Sequence, residues 1–286
     1  MRAAADTTIL VTGATSGHGL GLARLLARQG AALVLLGRSP ERLAAVEREL
    51  TGLGPTPPRT IVCDLARRAD VDRAADDLLA DDRPLHALVN NAGIVNQRRE
   101  LTPDGIESTF AVNVLAAYQL TARLLPRLRQ SAPARVVIVS SDMHRIARLD
   151  LDDLEMRRGY SWWMAYGRSK LALVVMAREL ARRLQGTGVT VNAMDPGPVS
   201  SRIAQNNPSV VARLATAAVA RLFPAPEKAA RMAAALALAP AYAGVTGGYF
   251  RFGAERTPSV PADEGWVAAR LLGECARMTG VPLPPP

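Results

Sequence analysis

The chain has 286 residues, 49% hydrophobic and 21% charged, which is enough for a full α/β core and excludes intrinsic disorder. No apolar run approaches the roughly 18 residues that a membrane span needs, and the opening residues lead straight into a strand-like Ile9-Leu10-Val11, so the chain is expected in the cytoplasm without a secretion signal. The formal charge of +9 comes from arginines spread along the chain rather than gathered in a basic block, which argues against nucleic acid as a partner, while three scattered histidines and two distant cysteines, Cys63 and Cys275, suggest no metal site.

Strand-like runs occur at 9–12, 32–36, 60–63, 87–89, 135–140, 189–194 and 249–252. Between them, apolar residues recur at helical spacing over 22–29, 41–50, 71–79, 108–129 and 164–184. This alternation predicts one doubly wound α/β domain over 1–286, a seven-stranded, mostly parallel sheet with helices on both faces. Ligands in such folds bind beyond the carboxyl ends of the strands. Residues 51–58 form a connection, and 280–286 are expected to be a flexible tail.

After the first strand, Gly13, Gly17 and Gly19 are spaced G-x-x-x-G-x-G, with Thr15, Ser16 and His18 between them, and they open the first helix. Glycine admits close approach of a pyrophosphate, and the N–H groups and dipole of the helix N-terminus attract its charge. The second strand ends in Gly37-Arg38-Ser39, where an arginine suits the 2′-phosphate of NADP(H) and an acid would suit NAD(H).

The chain has only two lysines, Lys170 and Lys228, against 33 arginines. Lys170 lies four residues after Tyr166, on the same helical face. A nearby ammonium stabilises a phenolate and brings a tyrosine toward the range useful for proton transfer.

Taken in order, Thr12-Gly13-x-x-x-Gly17-x-Gly19, Asn90-Asn91-Ala92-Gly93, Tyr166-x-x-x-Lys170 and Asp195-Pro196-Gly197 resemble the short-chain dehydrogenase/reductase family over essentially the whole chain. The resemblance implies a Rossmann fold and a catalytic set of Asn113, Ser141, Tyr166 and Lys170. In it, Tyr166 exchanges a proton with the carbonyl or alcohol oxygen, and Lys170 lowers its pKa and binds the nicotinamide ribose. Ser141 polarises the substrate oxygen, and Asn113 holds a water of the proton relay. The resemblance also implies that Asp64 and Leu65 lie at the adenine and that Asn91, Ala92 and Gly93 flank the cofactor. Pro196, Gly197, Val199 and Ser201 then lie along the nicotinamide. Plainer readings stand beside these: Ser141 ending a strand, Asn113 satisfying backbone at a helix bend, and Asp64 capping a helix.

His18 stands where the family usually has isoleucine. It is read either as a cofactor or substrate-mouth contact or as a partly exposed loop histidine without a catalytic role. His86 and His144 read as structural.

The 25-residue interval from Ser141 to Tyr166, about twice the usual spacing, resembles the retinol-dehydrogenase-like branch, as do Tyr249-Phe250, Pro258-Ser259 and Ala262-Asp263. Trp162 and Trp163 in this interval suit a large apolar substrate, a helix partner or the core. Residues 200–225 correspond to a substrate lid, with Ile203, Leu214, Leu222 and Phe223 as candidate pocket residues.

The reading is an NADP(H)-dependent oxidoreductase acting on a carbonyl or alcohol of a bulky apolar molecule. As in the family, it is expected to be a homo-oligomer, dimer or tetramer, without nucleic acid or a membrane span. The alternative is a non-catalytic NADP(H)-sensing binding protein.

Overall fold

The structure, a computed structural model, describes residues 4–54, 56–197, 226–261 and 264–283. The sheet contains β1 (Thr8–Thr12), β2 (Ala32–Gly37), β3 (Arg59–Val62), β4 (Ala87–Asn90), β5 (Ala134–Val139), β6 (Val189–Asp195), β7 (Tyr249–Arg251) and β8 (Ala254–Glu255). Their order is β3-β2-β1-β4-β5-β6-β7-β8, with every pair parallel except β7–β8. Every expected strand is present.

The sheet has eight strands rather than seven. The eighth is two residues long, too short to leave an apolar pattern. Its turn is Phe252-Gly253, with φ of 50° and 82°, so a phenylalanine occupies a left-handed position where hairpins favour asparagine or glycine.

Successive side chains of a strand point to opposite faces, and β1 shows this cleanly. Leu10 lies in a core shared with Val71 of α3 (Arg68–Leu79), Val174 of α5 (Trp162–Arg183) and Leu271 of α7 (Glu264–Thr279). The helix α4 lies on this face too, as Ser108–Phe110, a π-helical turn Ala111–Leu115 and Ala116–Gln130 in succession. Ile9 and Val11 face the other core, with Leu22 and Leu26 of α1 (Gly17–Arg28), Leu43 and Val46 of α2 (Pro40–Leu50), and Leu236 of α6 (Pro226–Leu238). Burial on both faces is why the strands read as continuous apolar runs rather than as alternating ones.

Part of the expected flexible tail is held. Tyr118 Oη donates to the Val281 carbonyl at 3.0 Å, and Val281 and Leu283 pack on the core, so apolar contacts and a backbone acceptor fix 281–283. Residues 284–286, the expected lid 200–225, Val199, Ser201 and the four candidate pocket residues lie outside the described residues. Among the described residues, no helix is long and apolar enough to cross a membrane.

The chain leaves β1 toward β2 on one side, and β4 lies on the other. The cleft at this reversal, beyond the carboxyl ends of β1 and β4, is where the fold admits a ligand.

Candidate active site

At this reversal Thr12 ties the two strand ends together. Its hydroxyl oxygen accepts from the N–H groups of Asn91 at 2.9 Å and Ala92 at 3.0 Å, and Asn91 Nδ2 donates to the Thr12 carbonyl at 2.7 Å. A Cβ at Gly19 would collide with the Gly13 carbonyl and with Asn91 Nδ2, so only glycine lets α1 start this close to β4. Ser16, the N-cap residue of α1, makes no side-chain cap bond, which leaves its hydroxyl and the first-turn N–H groups available to an anion.

His18 is buried in the first turn of α1 and is not a partly exposed loop residue. The Asn91 amide nitrogen is committed to Thr12, so Asn91 Oδ1 faces His18 Nδ1 at 2.7 Å and accepts its hydrogen. Burial lowers the imidazole pKa below its ordinary value of 6.5.

Ser141, Tyr166, Lys170 and Asn113 converge beyond β5 and β4. Ser141 follows β5 by two residues and caps the 3₁₀ turn Asp142–Ile146, its hydroxyl accepting from Met143 N–H at 3.3 Å. Tyr166 and Lys170 lie on α5, with Lys170 Nζ 5.4 Å from the phenol ring centroid and donating to the Val139 carbonyl at 3.0 Å. Asn113 lies in the π-helical turn of α4, a local widening of the helix that is frequent at functional sites. Its Nδ2 donates to the Ile94 carbonyl at 3.1 Å and to Ser169 Oγ at 3.0 Å, and its Oδ1 accepts from Ile94 N–H at 2.8 Å. Gly93 joins the two sides: a Cβ there would stand 3.4 Å from both Asn113 Oδ1 and Lys170 Nζ.

The electrostatics differ from the expectation drawn from Tyr166 and Lys170 alone. Burial pushes the Tyr166 phenol up to about 12; a hydrogen bond with Ser141 works against this and the Asp195 charge adds to it. Burial also brings Lys170 down to about 8, partly offset by Asp195. The ammonium therefore does not pull the phenol below its ordinary value in this geometry, because desolvation is the larger effect.

A charged network behind Ser141 escapes the sequence reading, which takes Asp195 only as part of Asp-Pro-Gly. In the register of β6 and β7, Asp195 stands opposite Arg251, whose Nε lies 2.9 Å from Asp195 Oδ2. Arg251 also pairs with Asp142 at 2.5 Å, and Asp142 Oδ1 accepts from Tyr249 Oη at 3.0 Å. An acid and a base at the ends of neighbouring strands were the available signal. Pro196 and Gly197 follow Asp195, and the Gly197 N–H donates to its carboxylate at 2.9 Å.

The other candidates lie around the rim. Arg38 is exposed at the end of β2 and carries no hydrogen bond or ion pair among the described residues. Ser39 caps α2, accepting from Arg42 N–H at 3.2 Å and donating to Glu41 at 2.7 Å. Asp64 folds its own loop by accepting from Ala66 N–H at 3.1 Å, and Leu65 packs on the core. Thr15 lies against Gly37 beside this rim. Trp162 and Trp163 are 48% and 44% exposed, which excludes the core role.

A family model described as short chain dehydrogenase matches residues 7–211, and the chain belongs to the short-chain dehydrogenase/reductase family. Within it, the chain falls in the retinol-dehydrogenase-like branch. It is 35% identical over 285 residues to retinol dehydrogenase 13 of Homo sapiens, which covers 97% of this chain and 86% of that protein. A solved structure of an uncharacterized protein from Mycobacterium paratuberculosis has a TM-score of 0.75 at 30% identity, covering 97% of this chain and 95% of that one. The Pseudomonas aeruginosa RhlG/NADP active-site complex has a TM-score of 0.69 at 29% identity, covering 88% and 98%. The protein is thus an oxidoreductase of this family, working with a nicotinamide cofactor on a small molecule.

Proposed function

We propose that the protein is an NADP(H)-dependent reductase or dehydrogenase acting on a carbonyl or alcohol of a bulky apolar substrate. The observation that carries this reading is the convergence of Ser141, Tyr166, Lys170 and Asn113 beside a glycine turn whose helix N-terminus is open to an anion.

The residues present fit such a cofactor. Ser16 and the first N–H groups of α1 suit its pyrophosphate, and the unengaged guanidinium of Arg38 suits a 2′-phosphate. Asp64 and Leu65 would flank the adenine, Asn91, Ala92 and Gly93 the central cleft, and Pro196 and Gly197 the nicotinamide end. When bound, the cofactor supplies or accepts hydride at its nicotinamide ring.

The protein's own residues manage the oxygen and its proton. Tyr166 Oη holds the proton delivered to the substrate oxygen during reduction, and Ser141 Oγ donates to the same oxygen as negative charge grows on it. Lys170, held by the Val139 carbonyl, supplies positive charge beside the phenol, and Asn113 holds the loop at Ile94 against α4. Trp162 and Trp163 precede Tyr166 by four and three residues and offer apolar area on the same side of α5. The retinol named for the relative is a substrate of that kind.

The test is NADPH oxidation by the purified protein against bulky apolar aldehydes and ketones, with NADH and Tyr166→Phe as controls. Turnover with NADPH that is lost in Tyr166→Phe, with NADPH binding retained, is the expected result. Tight NADPH binding without turnover of any substrate in either direction would favour the sensing protein instead.

A further inference from the structure

The hydroxyl of Ser141 can act on a substrate oxygen only if the backbone carrying it is fixed, and a histidine unused by the proposed chemistry fixes it. His144 lies in the 3₁₀ turn Asp142–Ile146 and is fully buried. Its ring Nδ1 lies 2.8 Å from the Ser141 carbonyl oxygen, which can only accept, so Nδ1 carries a hydrogen. Its Nε2 lies 3.1 Å from the backbone nitrogen of Ser259, which can only donate, so Nε2 is bare. Both partners are backbone groups with fixed roles, and the tautomer follows from them.

The backbone N–H of His144 donates to the same Ser141 carbonyl at 3.0 Å. That oxygen is therefore held twice by one residue. The ring stands edge-on to Tyr249 of β7, with centroids 4.9 Å apart, and Tyr249 in turn holds Asp142. The imidazole thus joins the carbonyl of Ser141, just beyond β5, to the backbone of Ser259, which lies after β8 and 115 residues from His144.

We infer that His144 is a positioning residue for Ser141: its neutral ring holds the Ser141 carbonyl and so sets Ser141 Oγ relative to Tyr166, while its bond from Ser259 adds to stability. The inference rests on the proposed role of Ser141. A histidine that merely filled space would need neither backbone partner, and an apolar side chain of its size would serve as well.

The experiment compares the full-length protein with His144→Ala and His144→Asn. Asparagine keeps a donor near the place of Nδ1 but cannot reach Ser259. His144→Ala is expected to lower kcat about 10- to 100-fold, the scale of a misplacement of about 1 Å in a reacting group, with the KM for NADPH within about twofold of wild type. His144→Asn is expected to recover most of kcat while remaining less heat-stable than wild type.

Amide hydrogen exchange at Met143, whose N–H bonds to Ser141 Oγ, gives a readout independent of turnover. Exchange should speed up in His144→Ala and return toward wild type in His144→Asn. Unchanged kcat in His144→Ala, or equal losses in both variants despite restored Met143 protection, would overturn the inference. If the wild-type protein reduces none of the compounds, the reductase reading fails by itself and the exchange pattern decides the inference: failure of His144→Asn to restore Met143 protection overturns it.

Discussion

Arg251 Nε lies 2.9 Å from Asp195 Oδ2, so a carboxylate buried behind Ser141 and within electrostatic reach of Tyr166 and Lys170 is neutralised from the last parallel strand. Burial raises the Asp195 pKa, and Arg251 and the Gly197 N–H lower it. Replacing Arg251 with methionine leaves that charge without its ion partner. A fully buried pair broken in this way costs about 3–5 kcal/mol, and because the Arg251 side chain is about a third exposed we expect roughly 2–3. Urea unfolding checks this, and Asp195→Asn combined with Arg251→Met should recover part of the loss.

Lys170 links stability to pH with a definite sign. Its folded pKa of about 8 lies below the ordinary 10.5, so between these values the unfolded chain binds the additional proton and stability rises with pH. Below pH 8 the cost of the buried charge is constant, on the order of 3 kcal/mol. Tyr166 acts oppositely: raised from 10 to about 12, it makes stability fall across that interval. The difference between wild type and Lys170→Met isolates the lysine. The variant's relative advantage should shrink from pH 8 to pH 10.5, and a pH-independent difference in urea unfolding would contradict the assignment.

Cofactor choice is expected to turn on Arg38. With no protein partner among the described residues, its guanidinium is available to a 2′-phosphate. Arg38→Asp removes a charge-assisted pair of roughly 1.5–3 kcal/mol. NADPH should bind at least about tenfold more weakly, while NADH binding holds or improves. Titration of both cofactors by fluorescence reads the switch directly, and an unchanged ratio of the two affinities would remove Arg38 from the site.

Gly19→Ala tests the turn. The added Cβ meets backbone oxygen at Gly13 and the Asn91 amide, and the backbone contact cannot rotate away. Both stability and NADPH affinity should fall, whereas Gly105→Ala, where the added Cβ has open space and the strain is of backbone φ alone, should affect stability and spare cofactor affinity. Thermal melts with and without NADPH separate the two effects.

Most of the sheet was legible because parallel strands buried on both faces leave apolar runs such as Ile9–Val11, and because glycine turns and Tyr-x-x-x-Lys have fixed spacing. What escaped depended on distance in sequence. Asp195 and Arg251 each end a strand, but only the register of β6 and β7 shows that they stand opposite one another. Nothing near His144 points to Ser259, and its burial alone makes it look structural. The two-residue strand Ala254–Glu255 was illegible for another reason: Phe252 in a left-handed turn contradicts the usual hairpin composition, and tertiary context overrides it. The upward shift of Tyr166 was not foreseeable from its spacing to Lys170, because the degree of burial appears only in three dimensions.

The Thr12 hydroxyl joins two halves of the sheet that carry different duties. Arg38 and the glycine turn belong to the side built on β1 and β2, and Ser141 and Tyr166 to the side built on β5 and the helix before β6. Their side chains share no hydrogen bond or ion pair among the described residues, so the free-energy effects of changing each should add. Cofactor preference and proton chemistry are then separately adjustable, and this architecture lets one half be redesigned while the other is left as it stands.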